Sequence, residues 1–451
     1  MSAPSQAIAE ANARGAGYLN HPVPAIKIGA DLIQPLADYK RAYPMWQILR
    51  DCYAGEIQVK SRGELYLRRP SNVKSKDYDS FISRAYFYNA TRRTHKGLLG
   101  AMTRKNAEVT LPTNLRVNLN SISIDGQSFI EFVRTICHEV LLVGRFGILA
   151  DIPTDTPLGV QPQPYLSGYK AEAIFRPRWT LIDGRRVLDR LILREEEIVN
   201  TEYAQTITQI YRVLRLDKDP ETGRWIYSQD IIRPAQPGVT GSTEQVTHRV
   251  IQTQGRTLDR IPFTFVNPTN TLLSIEDPVL FDIATLNLSH YGSTALLEHG
   301  RFYAGMPTYY IAGEGANASG LEALGDDLSQ AEPMSVGPSN VWMLEKDDKC
   351  GLLEFNGHGL TFLENAVDSK QLQMQSLGGK FIPAQQKSAA LSTEAYGLME
   401  AGDEATLLDI ALTVDRALES AFNHMSDLQN NAPANNLSLI HISEPTRRYA
   451  I

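Results

Sequence analysis

The segment EDPVLFDIATLNLSHYGSTALLEHGRFYAG (residues 276–305) decides the fold that we expect of this chain. Asp277 is a residue type that caps helix N-termini and Pro278 one that suits a first turn, so a helix is predicted from Asp277 to Tyr303. A second helix is predicted over Leu360–Leu377. The segment between them carries short strand-like runs and glycine-rich turns. Two long helices that flank such an insert favour an antiparallel arrangement with the insert at their tip.

Other segments predict both helices and strands. Residues 125–147 carry one apolar stripe at helical spacing, and Gly144 and Gly147 predict its end. Residues 205–230 alternate on both sides of a Pro/Gly turn, which is typical of a β-hairpin. A last long helix, over residues 392–428, repeats apolar residues with a near-heptad step that favours packing along another helix. Together these elements predict an α+β fold.

Composition narrows the class of protein. The 451 residues are 43% hydrophobic and 21% charged, which is typical of globular proteins and leaves room for two to four packed units. The longest apolar run, residues 140–150, contains Arg145 and is too short to cross a bilayer. Cys52, Cys137 and Cys350 are scattered, which argues against a disulfide framework or a zinc site. The net charge of −7 argues against tight binding of DNA, because that affinity comes from phosphate neutralisation.

Sequence motifs for catalysis are weak throughout. GGKF (378–381) lacks the upstream Gly and the following Ser or Thr of a phosphate-binding loop, and HEVLL (138–142) lacks the second His of a zinc-protease helix. The glutamates of REEEIV (194–199) suit a solvated strand edge better than a metal cluster. His290 and His299 suit ordinary polar contacts better than a ligand site. We therefore expect no cofactor, no metal and no enzymatic activity.

One basic region, SRAYFYNATRRTHKGLLGAMTRK (83–105), stands out. Its cations are interleaved with Tyr86, Phe87 and Tyr88, which is typical of a nucleic-acid surface with aromatic support. An amphipathic helix with a solvated or inter-subunit basic face explains the same pattern, so both interpretations stay open. The candidate residues of this surface are Arg84, Arg92, Arg93, Lys96, Arg104 and Lys105.

Several segments, taken in order, resemble the landmarks of a phage family long catalogued as a domain of unknown function and regarded as portal-like. They are MWQILRDCYAGEIQVKSRGELYLRRP (45–70), YFYNATRRTHKGLLGAMTRK (86–105), LLVGRFGILADIP (141–153), HYGSTALLEHGRFYAGMPTYYIAG (290–313) and LTFLENAVDSKQLQMQSLGG (360–379). The resemblance covers about Tyr39 to Leu428 and rests on the order of the segments rather than on one diagnostic motif. The chain is therefore similar to the portal proteins of tailed bacteriophages.

The resemblance implies a portal fold with a truncated C-terminal crown. Its expected parts are a flexible N-terminal extension (1–30), a helical wing part (31–160), an antiparallel β part of the wing (161–274), a first stem helix (275–304), a clip (305–358), a second stem helix (359–378), a tunnel loop (379–393) and a long helix back to the wing or crown base (394–430).

The same resemblance implies a structural conduit. Portal subunits form a ring, expected to have twelve copies, at one capsid vertex, and double-stranded DNA is packaged and ejected through it. The implied partners are further copies of the chain, DNA, the large terminase motor, the major capsid or scaffolding protein and a head–tail adaptor, with no membrane. Assembly is expected in the bacterial cytoplasm and residence in the virion. Lys380 and Lys387 of the tunnel loop are the candidates for contact with DNA in the channel, and solvation of the loop is the open alternative.

Two other classes of function stay open at this level. One is a different virion component, a minor capsid protein or a head–tail connector, although a connector is usually shorter and lacks the insert between the helices. The other is a phage DNA-processing enzyme, which would need a carboxylate cluster or a phosphate loop.

The last fifteen residues, 437–451, have neither helical nor strand periodicity. LSLIHISEPTR (437–447) resembles the translation of adapter DNA from transposase-based sequencing libraries. We therefore expect residues 437–451 to be non-native and to carry no function.

Overall fold

The computed structural model confirms the predicted α+β class. It describes residues 21–24, 26–29, 31–71, 73–105, 107–111, 115, 117–153, 162–200, 203–235, 243–253, 256–305, 308–312, 349–353, 358–378 and 393–430. Three predicted parts lie wholly or mostly outside these ranges. They are the tunnel loop except for residue 393, most of the clip, and the adapter-like residues 437–451.

The helices in these ranges are α1 (Ala37–Ala54), α2 (Glu56–Ser61), α3 (Tyr78–Arg84), α4 (Ala90–Met102), α5 (Phe129–Val143), α6 (Phe281–Ala304), α7 (His358–Gly378) and α8 (Thr393–Asn430). The strands are β1 (Ile26–Ile28), β2 (Asp31–Ile33), β3 (Phe146–Asp151), β4 (Tyr165–Lys170), β5 (Ile174–Ile182), β6 (Arg185–Asn200), β7 (Gln205–Lys218), β8 (Trp225–Arg233), β9 (Gln245–Val250), β10 (Gln252–Thr253), β11 (Arg256–Thr257), β12 (Phe263–Val266), β13 (Thr308–Ala312) and β14 (Lys349–Leu353).

The chain divides into two compact units. Unit 1 comprises Met1–Arg68, Phe87–Leu288 and Leu372–Ile451, and unit 2 comprises Arg69–Tyr86 and Ser289–Gln371.

Unit 1 contains two larger sheets. One has the strand order β12-β3-β4, and the other is a meander with the order β5-β6-β7-β8-β9. The predicted hairpin over residues 205–230 is confirmed, because β7 and β8 pair antiparallel from Tyr211↔Ile232 to Lys218↔Trp225. Strand β3 comes from the predicted helical part and pairs with β4 and β12 from the predicted β part, so the two parts share a sheet.

Arg212 of β7 joins the two sheets of unit 1. Its guanidinium donates to Asp151 of β3 over 3.0 Å, to Glu195 of β6 over 2.7 Å and to Gln229 of β8 over 2.8 Å. The prediction that the glutamates of REEEIV lie at a solvated edge is confirmed for Glu196, which is exposed, and wrong for Glu195, which Arg212 binds from the packed side. Strand β5 pairs with β6 only as far as Leu193, so this part of β6 is an edge of the sheet.

Helix α5 forms where its apolar stripe predicts it. Ser128 and Glu131 form a reciprocal capping box at its start, which satisfies backbone N–H groups that a helix leaves free. Gly144 ends the helix in the left-handed conformation with φ 72°, where a Cβ would add strain. Gly147 is not part of that stop. It lies within β3, where a Cβ would come 2.3 Å from the ring of Phe263.

Helix α8 packs against strands β3 and β12 as well as against α5. Phe422 contacts Phe129 of α5 with ring centroids 6.0 Å apart, and Ser420 lies 3.0 Å from Thr264 of β12. The near-heptad residues Leu407, Val414, Leu418, Ala421 and Met425 are buried. The prediction of packing along another helix was thus incomplete, because an apolar stripe does not reveal whether its partner is a helix or a sheet.

Helix α6 begins later than the sequence predicts. Asp277 does not cap it, because its carboxylate pairs with Arg41. Residues 279–280 form a turn, and the N–H of Phe281 donates to the carbonyl of Pro278. The helix therefore starts at Phe281 rather than at Asp277.

Arg50 of α1 connects three parts of unit 1. Its Nη2 lies 2.6 Å from a carboxylate oxygen of Glu139 on α5, and its Nε lies 2.9 Å from Glu172 in the turn before β5. Burial alone would raise the pKa of Glu172, but the hydrogen bonds and the charge of Arg50 outweigh it and hold that pKa below its usual value. Glu139 is only 3% exposed, so leaving its carboxylate without this arginine would be costly.

We predict that Arg50→Met destabilises the protein by roughly 3 kcal/mol, because it leaves two buried carboxylates without their cation. Chemical denaturation monitored by circular dichroism measures this change. Lys60→Met is the control, since Lys60 and Glu56 are four residues apart on one helix with side chains 23% and 38% exposed, and such a pair contributes at most about 1 kcal/mol. Equal effects of the two substitutions would contradict the assignment.

Candidate nucleic-acid or inter-subunit surface

The predicted basic region folds around helix α4. Asn89 caps the helix by accepting from the N–H of Arg92 over 2.9 Å. The side chain of Asn287, from α6, accepts from the N–H groups of Ala90 and Thr91 and donates to the carbonyl of Tyr88 over 2.6 Å. These contacts fix the start of α4 in unit 1.

Two of the six predicted cations are used inside the fold. Arg92 donates to the carbonyls of Tyr53 and Ala54 at the end of α1, which a helix leaves without partners. Arg84 belongs to unit 2, where it lies 4.1 Å from the ring centroid of Phe302 and contacts His299. Neither side chain is free to bind nucleic acid or a neighbouring subunit in the way that the sequence-based hypothesis requires.

The other four predicted cations, Arg93, Lys96, Arg104 and Lys105, are exposed in unit 1. Arg93 and Lys96 are three residues apart on α4, so they share a face of that helix. In the described ranges, no carboxylate lies within ion-pair distance of any of these four side chains. The aromatic support is weaker than predicted, because Phe87 is 3% exposed and belongs to the core.

A shallow groove opens between the end of α4 and the start of α5. Its lining is Met102, Thr103, Lys105, Ala107, Ile130, Val133, Arg134 and Cys137. The floor is mostly apolar, and Lys105 and Arg134 supply two exposed cations. Arg134 and Ile130 were not among the residues predicted for this surface. Their spacing of four residues, outside the apolar stripe of α5, indicates that they share an exposed face of the helix.

A cluster of three rings lies where α1, α4 and α5 meet. The rings of His95 and His138 contact edge to face with centroids 4.6 Å apart, and Tyr53 packs edge to face on both. Nε2 of His95 lies 3.0 Å from the carbonyl of His138, which requires the tautomer that donates from Nε2. Burial lowers the pKa of each histidine to about 4. The cluster is therefore neutral at physiological pH and does not add to the basic surface.

The two long helices of unit 2 run antiparallel. Lys370 of α7 donates to Ser293 of α6 over 2.6 Å, whereas Arg301, further along α6, lies 2.8 Å from Glu364, which is earlier on α7. The ends of the insert between them pair as the antiparallel strands β13 and β14. This is the arrangement that the sequence predicts for two helices flanking an insert.

Lys380 and Lys387 lie outside the described residues. Within the described part of the chain, no group of three or more His, Cys, Asp or Glu side chains could hold a metal ion. Over the same part, no helix combines the length and the apolar character needed to cross a membrane. The described surface carries cations without ion-pair partners, and they lie beside apolar side chains. Such cations can bind an anionic partner.

Comparison with known proteins matches residues 279–428 to a family described as a domain of unknown function (DUF4055). This segment spans about a third of the chain. No curated protein matches the chain.

Among solved structures, a chain of the virion of the native gene transfer agent (GTA) particle is 13% identical, with a TM-score of 0.36, covering 84% of this chain and 88% of that one. A chain of the neck of the empty GTA particle, computed with C6 symmetry, has the same identity and TM-score and covers 84% and 87%. A chain of the neck of the native GTA particle, computed with C12 symmetry, is 12% identical, with a TM-score of 0.33 and coverages of 83% and 87%. Likenesses with such low TM-scores carry no argument about this chain.

We predict that Gly300→Leu destabilises unit 2 by roughly 1–3 kcal/mol, because even a Cβ at Gly300 of α6 would come 2.6 Å from Cδ2 of Leu360 on α7. Gly292→Leu in the same helix is the matched control. A Cβ there meets nothing within 4 Å, and replacing glycine in a helix stabilises it by up to about 1 kcal/mol. The free energies of unfolding of both variants measure the difference. Destabilisation of the same size at the two sites would argue against the close contact of α6 with α7.

We also predict that stability falls as the pH is lowered from about 6.5 to about 4, because His95 and His138 take up protons more readily in the unfolded chain than in the fold. In His138→Phe, which keeps the packing on Tyr53, this pH dependence becomes shallower. Denaturation curves between pH 7.5 and 4.5 measure it. An unchanged slope would show that the fold does not hold His138 neutral.

Proposed function

We propose that this chain is a portal subunit of a tailed phage or prophage. In this role it forms a ring at one capsid vertex, and double-stranded DNA passes through the ring during packaging and ejection. The observation that carries the proposal is the antiparallel pair α6–α7, with an insert between the helices whose ends pair as β13 and β14. The order of segments in the sequence, which resembles that of portal proteins, supports the same function.

The proposed parts follow the chain. Residues 31–274 would form the wing, α6 and α7 the stem, residues 305–358 the clip and residues 379–393 the tunnel loop. Helix α8 would return to the wing, and its packing on β3, β12 and α5 in unit 1 supports that role. A head–tail connector is the weaker proposal, because such shorter proteins usually lack an insert between the helices, whose ends here pair as β13 and β14.

The charge of the chain suits a conduit. Each strong contact with a DNA phosphate would hold the duplex in place, so a net charge of −7 favours sliding over binding. Lys380 and Lys387 would make the transient contacts with DNA in the channel. Catalysis is not part of the proposal, and packaging energy would come from a separate terminase motor. Capsid or scaffolding protein and a head–tail adaptor would be the other partners.

Electron microscopy of the purified full-length protein tests the proposal. We expect ring-shaped particles with a central hole wide enough for duplex DNA, and class averages give the number of subunits, for which we expect twelve. The double variant Lys380→Ala/Lys387→Ala is the control that should still form rings, since these side chains are proposed to face DNA rather than a neighbour. A protein that stays monomeric at micromolar concentration would refute the portal function.

A further inference from the structure

The outer part of the β6–β7 hairpin has no neighbouring strand. Strand β5 pairs with β6 only as far as Leu193, and β8 pairs with β7 only from Tyr211 onwards. Residues 195–200 and 205–210 therefore pair only with each other in the described part of the chain. We call these two segments, with Tyr203 between them, the β-arm. A two-stranded ribbon is only marginally stable in water by itself, so its far end needs other contacts.

Several apolar side chains are exposed on the β-arm. Ile198 and Ile207 stand directly opposite each other and are 55% and 60% exposed. Tyr203 is 91% exposed and Val199 is 46% exposed. Exposed apolar side chains grouped in this way mark a surface that another molecule covers.

The β-arm also carries one carboxylate without a cation. Glu195 is bound by Arg212, and Glu197 is bound by Arg233 over 2.7 Å. Glu196 is exposed and has no ion-pair partner within the described ranges. Because alternate residues of a strand share a face, Glu196 lies on the same side as Ile198, roughly 7 Å away along the strand.

The groove between α4 and α5 has the complementary chemistry. Ile130 is 46% exposed, and Arg134 lies one helical turn further along the same face. Their spacing of roughly 6 Å is close to that of Ile198 and Glu196. Lys105 lines the groove as well, and neither cation has a carboxylate partner among the residues that the structure describes.

We propose that the β-arm of one copy of this chain docks into the groove of a neighbouring copy. Ile198 and Ile207 would cover Ile130 and the apolar floor, and Glu196 would pair with Arg134 or Lys105. Each copy would then offer its β-arm to one neighbour and its groove to another, which is a heterologous contact, the kind that gives a ring when its rotation closes. The inference rests on the proposed ring and identifies one contact that would hold it.

The exposures favour contact between copies over contact within one chain. Ile198, Ile207 and Ile130 are each about half exposed in the isolated chain, so the β-arm does not cover the groove of its own subunit. The apolar floor favours a protein partner over DNA. A phosphate backbone would satisfy Lys105 and Arg134 but would leave Ile130 uncovered.

Charge reversal with rescue tests this contact. We expect Glu196→Lys and Arg134→Glu each to raise the protein concentration needed for half-maximal assembly by about tenfold, because each places like charges opposite one another. Combining the two substitutions should restore assembly towards the wild-type value. Sedimentation velocity across a concentration series measures it. Glu221→Lys, in the exposed turn between β7 and β8, and Arg185→Glu, at the exposed start of β6, are the matched controls and should assemble as the wild type does.

Cross-linking gives a second measurement. In a Cys350→Ser background, which removes the exposed native thiol, Tyr203→Cys and Ile130→Cys are combined and treated with a short bismaleimide. We expect a ladder of dimers, trimers and larger species, because a heterologous contact repeats around the ring. Each cysteine alone should give no ladder.

The outcomes separate the two proposals. If the wild type forms rings but the reversals have no effect and no ladder forms, the β-arm contact is overturned and the ring stands. If Arg134→Glu weakens retention of DNA but not assembly, the groove is a nucleic-acid surface and the contact is again overturned. If the wild type is monomeric at all concentrations, both proposals fail.

Discussion

The bridge that Arg50 makes between two buried carboxylates is the constraint on which the packing of α1 in unit 1 depends. The guanidinium draws α1, α5 and the turn before β5 together through Glu139 and Glu172. Charged groups are costly to remove from water, so this arrangement is stable only when all three are in place. Helix α4 packs against the same two helices, and Arg92 caps the end of α1. The groove lies between α4 and α5, so one of its two walls is the helix that Arg50 ties to α1.

Arginine has two different roles in this chain. Arg212 repeats the role of Arg50 by joining two sheets through Asp151 and Glu195. Arg134 has no such partner in the described part of the chain and stays exposed beside Ile130. A cation whose donors are used inside the fold has fewer of them left for an external partner. The free cations beside the groove are therefore the better guide to an interaction surface than the density of basic residues along the sequence.

The basic region shows where sequence interpretation succeeds and where it fails. Its helix was predictable, because the pattern around α4 is local. Which of its cations stay exposed was not predictable from the sequence. Arg84 contacts Phe302 and Arg92 contacts α1, and both partners are distant in the sequence. Glu196 and Arg134 were likewise hidden. Glu196 lies in a run of three glutamates, and only the folded structure shows which of the three form ion pairs. Arg134 lies outside the basic region of residues 83–105.

The sequence alone determined the α+β class, the end of α5 at Gly144, the β7–β8 hairpin and the antiparallel tendency of α6 and α7, because periodicity and turn residues act over a few positions. Tertiary structure decided what each buried charge binds, why α6 starts at Phe281 and that α8 packs on a sheet as well as on a helix. It also decided that Ile198, Val199 and Ile207 of the β-arm stay exposed. Those outcomes depend on groups far apart in the chain, which local patterns do not encode.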